Sequence, residues 1–338
     1  MSDHKKVRTL PWNWHPLEFM VAGPASPDKT ALMAEISNQV LQSQGLHIGV
    51  TDAKPANLPR LEFLDLDAVL IDGNGHPTVP GVQLLEPSTA LANSSQWPEN
   101  PPLAYILSGN HPPGSLADDA VYYGRDKIPQ IAAIIIDHWQ KSISSRSLKG
   151  LILTGGLSTR MGHDKATLVY HGESQSTWAF KLLHTVCDEV FISCRAEQSE
   201  TAGRLGLPQI HDRHLEMGPM GGILSAMESD QAAAWLVCAC DLPLVDKESL
   251  KTLIANRNPW RYATAFSGTD GFPEPLFSIY EPKSRARMYQ FLAMGYDCPR
   301  KMLINSNIQT IKPTSPDMLT NINTSLELAV GQKRWEAQ

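Results

Sequence analysis

Short apolar runs ending in glycine or aspartate alternate with amphipathic stretches along this chain, and that alternation restricts the fold more than any other feature. LEFMVAG, GLHIGVTD, DAVLIDG, PLAYILSG and AVYYG have the length of strands, while KTALMAEISNQVLQSQG and KIPQIAAIIIDHWQK carry helical spacing. Strands and helices in alternation give a parallel sheet covered on both faces. After a polar, serine-rich stretch at 140–150 the same grammar restarts with LKGLILTGG. It continues through EVFISCR, PQIHD, AAWLVCACD, RYATAFSG and PLFSIY, with helices predicted over 176–188, 220–229, 246–256 and 283–294. The spacing predicts an α/β chain of two domains with mostly parallel sheets, 1–141 and 149–338, joined by a linker at 142–148.

Length supports that division, because 338 residues exceed one typical core of roughly 100–200. The formal charge is −6, which argues against a nucleic-acid surface while leaving room for one phosphorylated small molecule. No run approaches the ~20 apolar residues of a membrane span, and the N-terminus has no apolar core of signal-peptide length. The five cysteines form no export-type framework, so the sequence predicts reduced thiols in a cytoplasmic protein. Cys238 and Cys240 share one face of a strand; without a second Cys or His pair they read as small buried hydrophobes rather than metal ligands.

The stretch LILTGGLSTRMGHDKATL, 151–168, carries the chemistry. A strand ending at Leu153 delivers the chain through Thr154 to Gly155 and Gly156. Missing side chains there let backbone N–H groups approach an anion. Arg160 then offers a planar fork for phosphate oxygens and Lys165 a point charge. The glycine spacing is neither that of a Walker loop nor that of the dinucleotide fingerprint. Asp241 ends the strand WLVCACD, at the edge where open α/β sheets bind ligands. It caps the following helix or, beside a phosphate loop, holds Mg²⁺ between triphosphate oxygens. Gly218, Gly221 and Gly222 start a helix, or let a flat base lie against the backbone.

LTGGLSTRMGHDKATL resembles the signature of the molybdenum cofactor guanylyltransferases, roughly L-x-G-G-x-S-x-R-M-G-x-D-K. HDRHLEMGPMGGILSAM, VCACDLPLV, GFPEPLFSIY and LTNINTSLELA follow in that family's order, so the resemblance covers about 149–330. It implies two Rossmann-like domains of which the second has a nucleotidyltransferase fold. It also implies GTP and Mo-molybdopterin as substrates, Mg²⁺ as cofactor, and GMP transfer with release of pyrophosphate. Under it, Arg160, Lys165 and Asp241 are the catalytic residues, with Asp241 on the metal. Leu153, Thr154, Gly155, Gly156, Lys165, Ser193 and Asp212 contact the nucleotide, Gly218, Gly221 and Gly222 lie against guanine, and Asn321 and Asn323 face the pterin. Unaided, Asp212 is a polar turn residue and the two asparagines are turn formers. Ser193 stands where the family usually has another polar residue, often Asn.

A weaker loop lies near the start. VAGPASPDKTALMAEI fits G-x-x-x-x-G-K-[ST], except that Asp28 replaces the glycine that wraps the β-phosphate. Lys29 and Thr30 keep their places, and Asp72 ends a later strand. This half resembles the MobB-type P-loop adaptor of molybdopterin-guanine dinucleotide biosynthesis, and the altered loop favours a degenerate scaffold over an active GTPase. Three rivals are a molybdopterin cytidylyltransferase, a sugar-phosphate nucleotidyltransferase and a non-catalytic molybdoenzyme maturation factor. Molybdoenzymes or their chaperones are the partners that the resemblance implies.

Overall fold

The computed structural model describes residues 17–52, 66–73, 79–85, 102–109, 120–154, 167, 169, 172–201, 203–313 and 315–320. The chain divides into two compact units, and the described residues of the first fall within 15–145. Its strands are β1 (Leu17–Ala22), β2 (Ile48–Thr51), β3 (Ala68–Gly73), β4 (Gly81–Leu85), β5 (Ala104–Leu107) and β6 (Tyr122–Gly124). They pair in the order β2-β3-β1-β4-β5-β6, every pair parallel. Helix α1 (Pro27–Gln44) starts at Ser26, whose hydroxyl accepts from Lys29 N, and stops at Gly45 in the left-handed conformation. Helix α2 (Ile128–Ser144) buries Ile131, Ala132, Ile135, Trp139 and Ile143 at helical spacing. The Trp139 indole meets Phe19 of β1 edge-on.

The second unit comprises, among described residues, those from 146 onward. Its strands are β7 (Leu148–Leu153), β8 (Glu189–Cys194), β9 (Gln209–His211), β10 (Ala234–Ala239), β11 (Ala263–Ser267), β12 (Pro273–Tyr280) and β13 (Gln309–Ile311). The order is β13-β11-β12-β10-β7-β8-β9. Only β12 runs against its neighbours β10 and β11; the other pairs are parallel. Helices α3 (Gln175–Leu183), α4 (Gly218–Ser229), α5 (Lys247–Ala255), α6 (Ser284–Ala293) and α7 (Pro299–Ile304) complete it. Side chains of β10 alternate between two cores. Leu236 and Cys238 enter one with Phe266 and Phe277, and Trp235 and Val237 enter the other with Met220 and Ile223.

Of the stretch 142–148, α2 takes the residues up to Ser144 and β7 begins at Leu148, with the division between the two units at 145/146. Cys187, Cys194, Cys238 and Cys240 are buried and in no disulfide. Burial pushes the Cys187 thiol up to about 12 and raises Cys238 and Cys194 as well. No helix among the described residues is long and apolar enough to cross a membrane.

Candidate active site

In the second unit β7 lies between β8 and β10, so the connections leave it in both directions and a crevice opens beyond the strand ends. Most of the predicted residues that the structure describes gather there. Thr154 follows β7 directly; its N–H and hydroxyl both donate to Ser193 O, at 3.1 and 2.9 Å. Ser193 in turn donates from Oγ to Asp212 Oδ1 at 2.6 Å. Ser193 is buried, so this side chain sets the position of the Asp212 carboxylate. Burial raises the Asp212 pKa, opposed by the Ser193 hydrogen bond and by Arg195 and His211.

The glycines of α4 pack against the same group. A Cβ on Gly222 would meet Ser193 Oγ at 2.4 Å, Leu153 Cδ2 at 3.0 Å and Asp212 Oδ1 at 3.4 Å. One on Gly221 would meet His214 O at 2.2 Å. Gly218 has φ 52°, and Glu216 just before it has φ 65°, the one positive φ of a non-glycine residue among those described. Strain of about 1–3 kcal/mol at such a residue persists where neighbours over-determine it, as they do at ligand sites. His214 is held by Glu228, with Nε2 to Oε1 at 2.8 Å, and Tyr289 donates its hydroxyl to the same Oε1.

Sequence reasoning missed two features. Arg204 is 0% exposed and packs against Thr154 at the end of β7. It donates from Nη2 to Thr154 O at 2.6 Å, from Nε to Thr154 Oγ1 at 3.0 Å and from Nη1 to Thr201 Oγ1 at 2.7 Å. Nothing in the surrounding GRLG marks it. The second feature is Glu274, within the quoted GFPEPLFSIY. Its Oε1 accepts from Leu276 N at 2.9 Å and its Oε2 from Arg300 Nη2 at 3.1 Å, while Arg300 Nη1 reaches Asp270 Oδ2 at 3.0 Å. Burial raises the Glu274 pKa, the Leu276 N–H and Arg300 lower it, and the nearby Asp241 charge raises it.

Asp241 follows β10, half-buried, one residue after Cys240, whose N–H donates to Leu153 O at 3.2 Å. That bond brings the end of β10 beside Thr154. Asp241 is the carboxylate that would hold a hard divalent cation, which prefers oxygen ligands. No group of three or more His, Cys, Asp or Glu side chains able to hold a metal occurs among the described residues. Gly155, Gly156, Arg160, Lys165, Asn321 and Asn323 lie outside the described residues.

In the first unit the loop lysine is buried. Lys29 is 1% exposed, and its Nζ pairs with Asp72 Oδ1 at 2.5 Å while donating to Gly23 O at 2.7 Å and Gly73 O at 3.4 Å. Asp28 accepts from Ser108 Oγ at 2.6 Å and from Arg125 Nε at 3.3 Å, and Arg125 also holds Glu35. The lysine that would meet a phosphate is turned onto the protein's own carboxylate.

Residues 150–307 match the profile of the MobA-like NTP transferase domain. A molybdenum cofactor biosynthesis bifunctional protein of Synechocystis sp. is 37% identical over 183 residues, 54% of this chain and 53% of that protein. The chain thus spans about half of that relative's length. A probable molybdenum cofactor guanylyltransferase of Bacillus cereus is 27% identical over 195 residues, 54% of this chain and 95% of the relative. The crystal structure of molybdopterin-guanine dinucleotide biosynthesis protein A from Archaeoglobus fulgidus superposes with a TM-score of 0.47 at 21% identity, over 56% of this chain and 100% of that one. Across residues 150–307, then, the chain is similar to the MobA-like NTP transferase domain.

Proposed function

We propose that the chain transfers GMP from GTP to Mo-molybdopterin, giving molybdopterin guanine dinucleotide and pyrophosphate. The observation that carries this reading is the convergence of Thr154, Ser193, Asp212 and Gly222 beside Asp241 at one sheet edge. The names of the relatives support the choice of GTP and molybdopterin.

In this reaction an oxygen of the acceptor's terminal phosphate attacks the α-phosphorus of GTP, and the bond from that phosphorus to the β-phosphate bridging oxygen breaks. The protein aligns the two and offsets the charge gathering on the phosphates. Arg160 and Lys165 hold the triphosphate, the backbone of Gly155 and Gly156 donates to it, and Arg204 fixes the entry to their loop through Thr154. Asp241 holds Mg²⁺, which when bound neutralises charge between the phosphates. Leu153, Ser193, Asp212, Gly218, Gly221 and Gly222 form the nucleotide side, with Ser193 acting through Asp212, and Asn321 and Asn323 face the acceptor. In this reading residues 1–141 are a degenerate P-loop scaffold of MobB type rather than a GTPase. The protein works in the cytoplasm without nucleic acid or membrane, and its product passes to molybdoenzymes or their chaperones.

The test is incubation with each of the four nucleoside triphosphates, Mg²⁺ and Mo-molybdopterin, followed by detection of pyrophosphate and dinucleotide. GTP is expected to be the preferred donor. Equal or better product from CTP would replace this reading with cytidylyl transfer.

A further inference from the structure

The connection from β9 to α4, residues 212–217, begins with Asp212 and delivers the chain to the glycines of α4. It turns back along α4 and is held there at three points. Arg213 N donates to Ser225 Oγ at 2.8 Å, and that hydroxyl donates to Gly221 O at 2.8 Å. His214 O lies so close to Gly221 that a Cβ there would meet it at 2.2 Å. His214 Nε2 stands 2.8 Å from Glu228 Oε1. Gly221, Ser225 and Glu228 follow one another at i, i+4 and i+7, which is one face of a helix. We propose that Glu228 is a positioning residue for the nucleotide: through His214 it fixes this connection, and with it Asp212 and the glycines that lie against the base. The assignment rests on the guanylyl-transfer reading above.

The connection needs such a restraint. Glu216 has φ 65°, and a residue held there persists only where its neighbours over-determine it. Glu228 supplies part of that restraint from the far end of α4, about 10 Å along the helix axis from Gly221. It therefore acts through His214 and not by touching the glycines. A carboxylate only accepts, so His214 donates from Nε2.

The Glu228 side chain is itself anchored. The Tyr289 hydroxyl of α6 donates to the same Oε1, so one oxygen joins α4, α6 and the connection. Burial and Glu228 raise the Tyr289 pKa, which keeps that hydroxyl protonated and donating. The His214 and Tyr289 rings meet edge-on with centroids 6.1 Å apart. Glu228 Oε2 lies 3.7 Å from Arg213 Nη1. The carboxylate charge also acts on Arg285, which is buried one turn before Tyr289. Glu228 thus makes two separable contributions: hydrogen bonds that hold the connection, and a charge that faces a buried guanidinium.

Substitutions at 228 separate the two. In Glu228→Gln the amide oxygen still accepts from His214 and Tyr289, while the charge facing Arg285 is lost; Glu228→Ala loses both. Thermal transitions should fall in both variants, whereas nucleotide affinity should follow the hydrogen bonds. GTP, and separately CTP, is titrated calorimetrically into the full chain with Mg²⁺ and no acceptor, so that no turnover intervenes. Glu228→Ala and His214→Ala should each raise the GTP dissociation constant about ten-fold, the share of one charge-assisted hydrogen bond. Glu228→Gln should recover most of that affinity. The double alanine variant should lose no more than either single one, since both break the same link. In turnover assays KM for GTP should rise in the alanine variants and KM for Mo-molybdopterin should not. Affinity that falls in step with thermal stability, Glu228→Gln included, would overturn the proposal, and so would additive losses in the double variant. Unchanged GTP affinity in His214→Ala with native circular dichroism would overturn it as well, and decides the matter where Glu228→Ala fails to fold. A wild type that prefers CTP, with Glu228→Ala weakening that nucleotide, would overturn guanylyl transfer alone and leave the positioning role standing. No nucleotide binding by the wild type would overturn both.

Discussion

Asp241→Asn is expected to lower turnover by about 10²–10³-fold, the usual cost of one electrostatic stabiliser. Its thermal transition should match the wild type's, since the side chain is half-buried at a strand end. Turnover near normal would leave Asp241 without a catalytic part, and the cap reading does not replace it, because the helix after β10 is capped by Asp246. Asp212 gives a pH prediction. Its folded pKa is raised, chiefly by burial, so the native state holds this proton more tightly than the unfolded chain does. The stability it contributes is complete below the ordinary Asp value of about 3.9 and is lost as pH rises through the higher folded value. Asp212→Asn removes that loss, so denaturant midpoints of variant and wild type should move apart in the variant's favour as pH rises above about 4. A constant difference would show that Asp212 has an ordinary environment. Single residues were legible where a motif surrounded them, as around Thr154 and Asp241. Arg204 was not: a buried arginine acts through its fold partners Thr154 and Thr201, and no spacing encodes those bonds.

At the scale of elements, α4 packs on the β8–β9 side only because Gly221 and Gly222 lack side chains. Gly222→Ala is expected to cost about 1–3 kcal/mol through overpacking against Ser193 Oγ. Adding Ser193→Ala should recover much of that loss by removing the clashing atom. Additive losses in the double variant would mean that the clash lies elsewhere. Helices α4, α5 and α6 were read from periodicity nearly at their observed bounds. Strand β4 (GVQLL) and β13 (QTI) were passed over, being runs of five and three residues, too short for a periodicity to show. The reversed direction of β12 was illegible as well, because alternation records which face a residue takes and not which way the strand runs.

Over the whole molecule, the sequence carries two similar openings, strand to loop to helix, and paired lysine variants separate them. Lys165→Ala is expected to lower turnover at least ten-fold and raise KM for GTP, while Lys29→Ala leaves both near wild type. Lys29→Ala should instead destabilise residues 15–145 by about 3 kcal/mol, because it strands Asp72 and two loop carbonyls. Turnover lost in Lys29→Ala would make the first unit a working GTPase. The two-domain α/β plan was legible because strand and helix periods are written locally. The fate of Lys29 was not, since it depends on Asp72, forty-three residues away.

The Lys29–Asp72 pair also acts as a built-in competitor. A phosphate group reaching that loop displaces a carboxylate that is already present at an effective concentration no free ligand matches. If freeing the lysine costs about 3 kcal/mol, apparent affinity falls by roughly 150-fold. Restoring glycine at position 28 leaves that tax in place. Recovering nucleotide affinity in the first unit requires Asp28→Gly together with Asp72→Ala.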